Sequence, residues 1–323
     1  MSYQCGICNN TKENKTYQAR EMMFGTRETF EYFMCPSCSC LQITTPPENM
    51  APYYPAEYYS YNQELIPAAA WWKRNFKRQR TRYFLHEKGL LGKLQTKLFG
   101  PPFLEPWAKM TNLDVDSKVV DIGCGIGCLL SRLANEGFSD LSGIDPYIEK
   151  GIDHPNRFRI YKKDIHELSE QFDFIMLHHS FEHMLNPQTS LKAIYDLTKP
   201  EGRVLIRIPV ISWAWEYYGV NWCGLDAPRH FWLHSTNSME QLCRQCNFEI
   251  EDVLYDSTGY MFWGSEQYLR DIPLMDPRSL WTGPTETLFS ESELSEWEKR
   301  ADELNLQKRG DQACFLLRKI GCL

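Results

Sequence analysis

Three groups of side chains in this 323-residue chain have the types and spacing that chemistry needs. The first is Val119-Val120-Asp121-Ile122-Gly123-Cys124-Gly125-Ile126-Gly127, an apolar strand ending in an acid and running into three alternating glycines ahead of a helical pattern. Residues without a Cβ let the backbone turn sharply and approach a bound molecule closely, and Asp121 at the strand end can accept hydrogen bonds. The second is the pair of knuckles Cys5-x-x-Cys8 and Cys35-x-x-Cys38, four thiolates at a spacing suited to tetrahedral zinc, with Cys40 as a spare. The third is a concentration of imidazoles, since His178, His179, His183 and His230 are four of the eight histidines. Histidine takes up protons near neutral pH, and such help is worth about 10² to 10⁴ in rate.

The spacing Asp-x-Gly-x-Gly-x-Gly differs from the dinucleotide fingerprint. It resembles the first motif of class I S-adenosylmethionine-dependent methyltransferases, and the resemblance continues in order as far as Pro209. Leu141-Ser142-Gly143-Ile144-Asp145 looks like the second strand, which makes Asp145, followed by Pro146, the expected ribose ligand. Tyr161-Lys162-Lys163-Asp164-Ile165 looks like the third-strand turn, with Asp164 facing the adenine and Ile165 packing on its ring. Phe172 to Leu177 resembles the fourth strand, running into His178, and Arg203 to Pro209 the fifth. The resemblance therefore implies a cofactor site of Asp121, Gly123, Gly125, Gly127, Asp145, Pro146, Asp164, Ile165 and His178. It implies an α/β fold, a doubly wound, mostly parallel seven-stranded sheet, preceded by a small zinc-ribbon-like module.

Around these motifs the chain divides into a zinc-binding module at 1–45, a connector with basic amphipathic helices at 46–110, and the S-adenosylmethionine domain at 111–323 with an insertion at 257–312. The connector is rich in Pro and Tyr, and tyrosines need somewhere to pack, so we expect it to be ordered and to serve as a lid. Trp71 to Lys97 carries nine Lys/Arg against one acid, Glu87, and is expected to form a helix or helix pair with a solvated basic face. Ser235-Thr236 caps a helix, Phe248 to Tyr255 reads as the sixth strand and Ala313 to Arg318 as the seventh. Cys243 and Cys246 lie in that helix without a partner pair and read as core. Residues 210–234 are crowded with aromatics, including Trp213, Trp222 and Phe231, and should wall the acceptor site beyond the strand ends or else form an oligomer interface. In the insertion, Tyr260 to Trp263 is expected near the pocket.

A net charge of −7 provides no global field to gather nucleic acid. No apolar run approaches membrane-spanning length, the N-terminus lacks a signal-peptide pattern, and twelve cysteines suit a reduced, cytoplasmic setting.

His179 and His230 are expected to accept the substrate proton, with His183 and Glu182 orienting them. His179-x-x-Glu182-His183 with a remote His230 also resembles the Glu-x-x-Glu-His arrangement of magnesium-dependent small-RNA 2′-O-methyltransferases. Histidine in the first position removes a hard oxygen ligand, which favours a metal-free site; a divalent metal on His179, Glu182, His183 and His230 is the alternative. The paired knuckles ahead of such a domain resemble methyltransferases of bacterial deoxysugar and surface-glycan pathways, implying O-methylation of a nucleotide-linked sugar or glycan. The alternatives are an RNA methyltransferase that grips RNA with its zinc module, and a non-catalytic cofactor-binding scaffold.

Overall fold

A computed structural model of the chain describes residues 3–55, 65–111, 113–155, 157–283 and 288–321. The N-terminal strands β1 (Lys15–Arg20), β2 (Thr29–Met34) and β3 (Leu41–Ile43) pair antiparallel. Helices α1 (Trp71–His86) and α2 (Leu90–Phe99) follow. Part of the connector proposed as a lid, residues 56–64, lies outside the described residues.

The main sheet contains β4 (Lys118–Ile122), β5 (Asp140–Ile144), β6 (Ile152–His154), β7 (Phe158–Tyr161), β8 (Phe172–His178) and β9 (Thr198–Pro209), closed by β11 (Phe248–Tyr255) and β12 (Gln312–Lys319), in the order β11-β12-β9-β8-β4-β5-β7-β6. Strands β4, β5, β7, β8 and β9 run parallel; β12 enters antiparallel between β9 and β11. All seven expected strands are present. An eighth, β6, adds an antiparallel hairpin to the β7 edge, and at three residues it is too short for its periodicity to stand out in sequence.

The central parallel strands β4, β8 and β9 are mostly apolar because both faces are covered. On one face α3 (Cys128–Asn135) places Leu130 and Leu133 with Trp107 and Phe138. On the other lie α4 (Pro187–Leu197) and α6 (Thr236–Gln245), with Leu191, Ile194, Leu242 and the buried Cys243 and Cys246. Ser235 starts α6 as expected, its Oγ accepting the Ser238 N–H at 3.0 Å.

The N-terminal module is not a separate bead. Its sheet is completed by β10 (Trp232–Leu233), which pairs with β3 and comes from the segment after β9. Its core is shared with α5 (Trp213–Tyr218), α7 (Tyr260–Leu269) and α8 (Glu291–Leu306). That shared core absorbs most of the aromatic residues expected to wall the acceptor site: Trp222 is fully buried, and Phe231 and Tyr218 nearly so. Met261 and Phe262 are buried in the same core rather than at a pocket.

The cysteines of the two knuckles converge, with Sγ atoms all within 4.8 Å of one another; Cys5 and Cys38 are 3.5 Å apart and Cys8 and Cys35 3.4 Å. Zinc–sulfur bonds of about 2.3 Å separate tetrahedral sulfurs by about 3.8 Å, so the set fits zinc after a slight expansion. Donors point at the sulfurs as they would at thiolates: Gln42 Nε2 at 2.9 Å and the Ile7 N–H at 3.4 Å from Cys5 Sγ. Hydrogen bonding within the cluster, from Cys38 first, holds the Cys5 thiol below its usual range. The knuckles dock on α6, where Ser235 Oγ donates to the Cys38 carbonyl at 2.6 Å and Gln245 Nε2 to that of Ile7 at 2.8 Å. We therefore expect one zinc per chain by elemental analysis, and a Cys35→Ser variant that loses it and melts several degrees lower. A variant with full stability and no zinc in the parent would contradict the assignment.

Candidate active site

Two cavities flank the glycine turn at the carboxyl ends of the parallel strands, where open α/β sheets take their ligands. The first, about 380 Å³, is lined by Gly123, Gly125, Asp145, Pro146, Ile165 and His183 among others. The second, about 280 Å³, shares Gly123, Gly125 and His179 and adds Asp121, Trp107, His178 and Arg207. Gly123 has φ +75°, and a Cβ there would lie 2.4 Å from Ser180 Cβ, so this position is closed to any side chain. Gly127 begins α3 at φ +86° and lines neither cavity; a Cβ would strike Ile160 and Phe158, so its role is packing.

The Asp145 carboxylate is oriented by two backbone donors, Gly125 N–H to Oδ2 at 2.9 Å and Tyr147 N–H to Oδ1 at 2.8 Å. Each oxygen keeps a further lone pair for a ligand hydroxyl. Asp164 caps a short helical turn, accepting the His166 N–H at 3.0 Å, and Ile165 follows it into the cavity. On the other side of the turn, burial and then the charge of Asp145 push the Asp121 carboxyl well up. An ammonium group there would relieve this. An acid with free lone pairs at one end and a buried acid awaiting a cation at the other fit S-adenosylmethionine, with its ribose towards Asp145 and its amino acid end towards Asp121. His178 lies beside Trp107 with ring centroids 5.1 Å apart, and burial holds its pKa well down.

The imidazole cluster is not arranged as the sequence led us to expect. His179, at φ +52°, receives Arg207 Nη1–H on Nε2 at 2.9 Å, while its Nδ1 faces Glu182 Oε1 at 3.6 Å. Its basic lone pair is thus already occupied. His230 donates Nδ1–H to the Gly224 carbonyl at 2.9 Å and has Nε2 3.9 Å from Glu182, but it lies behind His183 and lines neither cavity. Burial, followed by His183, lowers its pKa to about 4. His183 does line the first cavity, and its Nδ1–H donates to the Arg229 carbonyl at 2.8 Å, which leaves Nε2 as its lone-pair nitrogen. Glu182 is fully buried. Burial pushes its carboxyl up, but His179 and the charges of His183 and His230 outweigh this and hold it at about 2. Neither of its oxygens has a hydrogen-bond partner among the described residues.

The sequence reading gave no site role to Arg207, Tyr54 or Glu21, and placed Asp226 only in the aromatic loop. Arg207, an arginine inside the apolar run of β9, reaches Asp256 at 2.7 Å as well as His179, and its charge amid Ile206 and Ile208 was the available signal. Tyr54 Oη lies 3.2 Å from His183 Nδ1. Glu21 and Asp226 grip the fully buried Arg229, at 3.0 and 2.5 Å from its Nη2, and so fix the carbonyl that orients His183. No local pattern marks Glu21; only the fold brings it to Arg229.

Replacing Asp145 with Ala should cost about 1.5–3 kcal/mol in S-adenosylmethionine binding, the usual worth of hydrogen bonds to a charged group. Calorimetry should read that as roughly a tenfold to hundredfold weaker Kd, and an unchanged Kd would refute the ribose assignment.

Comparison with known proteins places the chain. Ubiquinone biosynthesis O-methyltransferase of Pseudomonas entomophila is 32% identical over 98 residues, covering 27% of this chain and 42% of that protein. The same enzyme of Pseudomonas aeruginosa is 31% identical over 100 residues, covering 28% and 43%. The chain thus spans less than half the length of these curated relatives. Among solved structures, coclaurine N-methyltransferase bound to N-methylheliamine and SAH aligns over 78% of this chain and 90% of its own, at 14% identity and a TM-score of 0.40. Residues 91–253, half of the chain and the part that holds the glycine turn, Asp145, Asp164 and the Glu182-His183 pair, match the family described as Methyltransferase domain, and the chain belongs to that family.

Proposed function

We propose that the protein methylates a hydroxyl group of a nucleotide-linked sugar or glycan, with S-adenosylmethionine as donor. Transfer from the bound sulfonium is an in-line displacement on an already activated carbon, so alignment supplies most of the acceleration. A hydroxyl must also lose its proton, and the observation that carries this reading is the wiring of His183. Its Nδ1–H is held by a backbone carbonyl and its ring lies against a buried carboxylate, so Nε2 is free to take the proton at the cavity wall. Glu182 stabilises the imidazolium that results, while Arg207, donating to Nε2, fixes the orientation of His179. Polar groups along the first cavity, among them Lys163, Asn186 and Thr189, suit a polar acceptor better than a purely aromatic one. The two curated relatives named above are both O-methyltransferases, which supports oxygen as the accepting atom.

A second reading rests on one observation. The ligating atoms of Glu182, His183 and His230, without the His179 also expected, lie within 4.8 Å of one another, and the Glu182 oxygens lack hydrogen-bond partners among the described residues. Two imidazoles and a carboxylate suit a transition metal, which would polarise the hydroxyl instead of leaving its proton to a side chain. The net charge of −7 counts against an RNA acceptor.

The test is a set of nucleotide sugars and phenols incubated with S-adenosylmethionine, with methyl ethers read by mass spectrometry. His183→Ala should lower turnover on the accepted sugar by about 10² or more, the range of general-base catalysis. Chelation that leaves the cysteine-bound zinc in place should spare activity if His183 is the base and abolish it if the metal is required. Methylation of phenols alone would displace the sugar acceptor, and wild-type turnover in His183→Ala would defeat both readings.

A further inference from the structure

The charge of this chain is unevenly spread: Trp71 to Lys97 holds nine cations and one acid while the whole carries −7. Several of these cations hold the helices to the body of the protein. Arg78 and Arg82 bond to Asp116, and Lys77 and Arg80 to Glu136 beyond the end of α3. Lys73, Lys88, Lys93 and Lys97 have no acidic partner among the described residues.

Helix α2 is turned inside out. The face it buries against α1 is Gly92 and Gln95; a Cβ on Gly92 would come within 2.2 Å of the Gln79 carbonyl oxygen, so only glycine allows this approach. Its leucines face water instead, with Leu90 89% and Leu98 64% exposed and Leu91 and Leu94 more than half so. Positions 90, 91, 94 and 98 fall on one side of a helix. Phe76 and Phe99, in edge contact at 5.4 Å, extend this strip, and Trp71 is 74% exposed near the start of α1. Soluble surfaces rarely leave a contiguous apolar strip of this kind uncovered.

The flanking lysines decide what covers it. A second copy stacked on the same face would set Lys93 and Lys97 against their equivalents, whereas a surface of lipid phosphates complements them. Interfacial helices have this composition, with leucine and tryptophan on one side and lysine beside them. No helix among the described residues is long and apolar enough to cross a membrane, so the contact would be peripheral. We propose that the α1–α2 hairpin docks on an anionic lipid bilayer, its leucine strip entering the headgroup–acyl boundary and its four unpaired lysines resting on phosphates. The face leads directly to the site. Beyond α2, Phe103 packs under Arg132 at 5.5 Å, and Arg132 and its partner Glu105 line the cavity on the Asp121 side of the glycine turn. A docked enzyme would hold that cavity close to the membrane surface. This inference does not depend on the acceptor proposed above.

The test is co-sedimentation of the full chain with vesicles of phosphatidylglycerol and phosphatidylcholine, compared with phosphatidylcholine alone, together with sedimentation velocity in the absence of lipid. We expect a monomer that binds the anionic vesicles, binds phosphatidylcholine at least tenfold less, and lets go as salt rises. A Leu94→Glu/Leu98→Glu variant should lose vesicle binding more than tenfold while keeping its zinc and its affinity for S-adenosylmethionine, since both side chains are exposed and neither lines a cavity or joins the cysteine cluster. No binding to anionic vesicles, equal binding to both compositions or undiminished binding by the variant would overturn the proposal. So would a wild-type dimer that the variant dissolves, because a second copy would then cover the strip.

Discussion

Arg229 is the arginine on which the site is built. Its guanidinium is fully buried, and Asp226 and Glu21 accept its hydrogen bonds from two parts of the chain 205 positions apart, one just before the arginine and one in the N-terminal module. Burial alone would lower its pKa, but the two carboxylates raise it, so the charge stays. Glu21 is itself saturated by the N–H groups of Met23, Phe24 and Thr26, which makes it a rigid partner. A buried ion pair of this kind adds little net stability, yet breaking one costs about 3–5 kcal/mol because it strands a charge. What it gains is a defined arrangement: the Arg229 carbonyl is held where it accepts His183 Nδ1–H, and the neighbouring backbone is tied on both sides. Tyr32 Oη donates to the His230 carbonyl, and the Phe231 N–H to that of Glu182.

The zinc knuckles belong to the same logic. They seat β1, β2 and β3 on α6, and β3 in turn pairs with β10, directly after Arg229, His230 and Phe231. The module therefore reaches the site through the backbone beside it: Glu21 holds Arg229, whose carbonyl accepts His183 Nδ1–H. This also explains why the aromatic residues between β9 and α6 do not form a substrate cage. Joining a four-stranded sheet to a parallel one requires a second core, and Trp222, Phe231 and Tyr218 supply it.

The sequence carried the parallel sheet and the cofactor cradle because both depend on local rules. Apolar strands, an acid at a strand end and glycines where φ is positive can be read within a few residues, and the resemblance in motif order then pointed to Asp145 and Asp164. The four cysteines were readable from spacing alone. What could not be read is which histidine keeps a free lone pair. That depends on Arg207 reaching His179 from the next strand and on Gly224 and Arg229 offering carbonyls to His230 and His183. The wiring seen in the structure is what makes His183, rather than His179 or His230, the proton acceptor we propose. The orientation of α2 was hidden for a related reason: its leucines keep helical spacing whichever way they face, and only Gly92 against α1 reveals that they face outward.

The most direct test of this account is the Glu21→Gln variant, which keeps the shape of the side chain and removes its charge some distance from either cavity. The account predicts that zinc content and S-adenosylmethionine affinity hold within about twofold while turnover falls by an order of magnitude or more, the lower part of the range for losing a well-oriented base. Unchanged turnover in a variant with normal zinc and cofactor binding would contradict the claim that the N-terminal module positions His183 through Arg229.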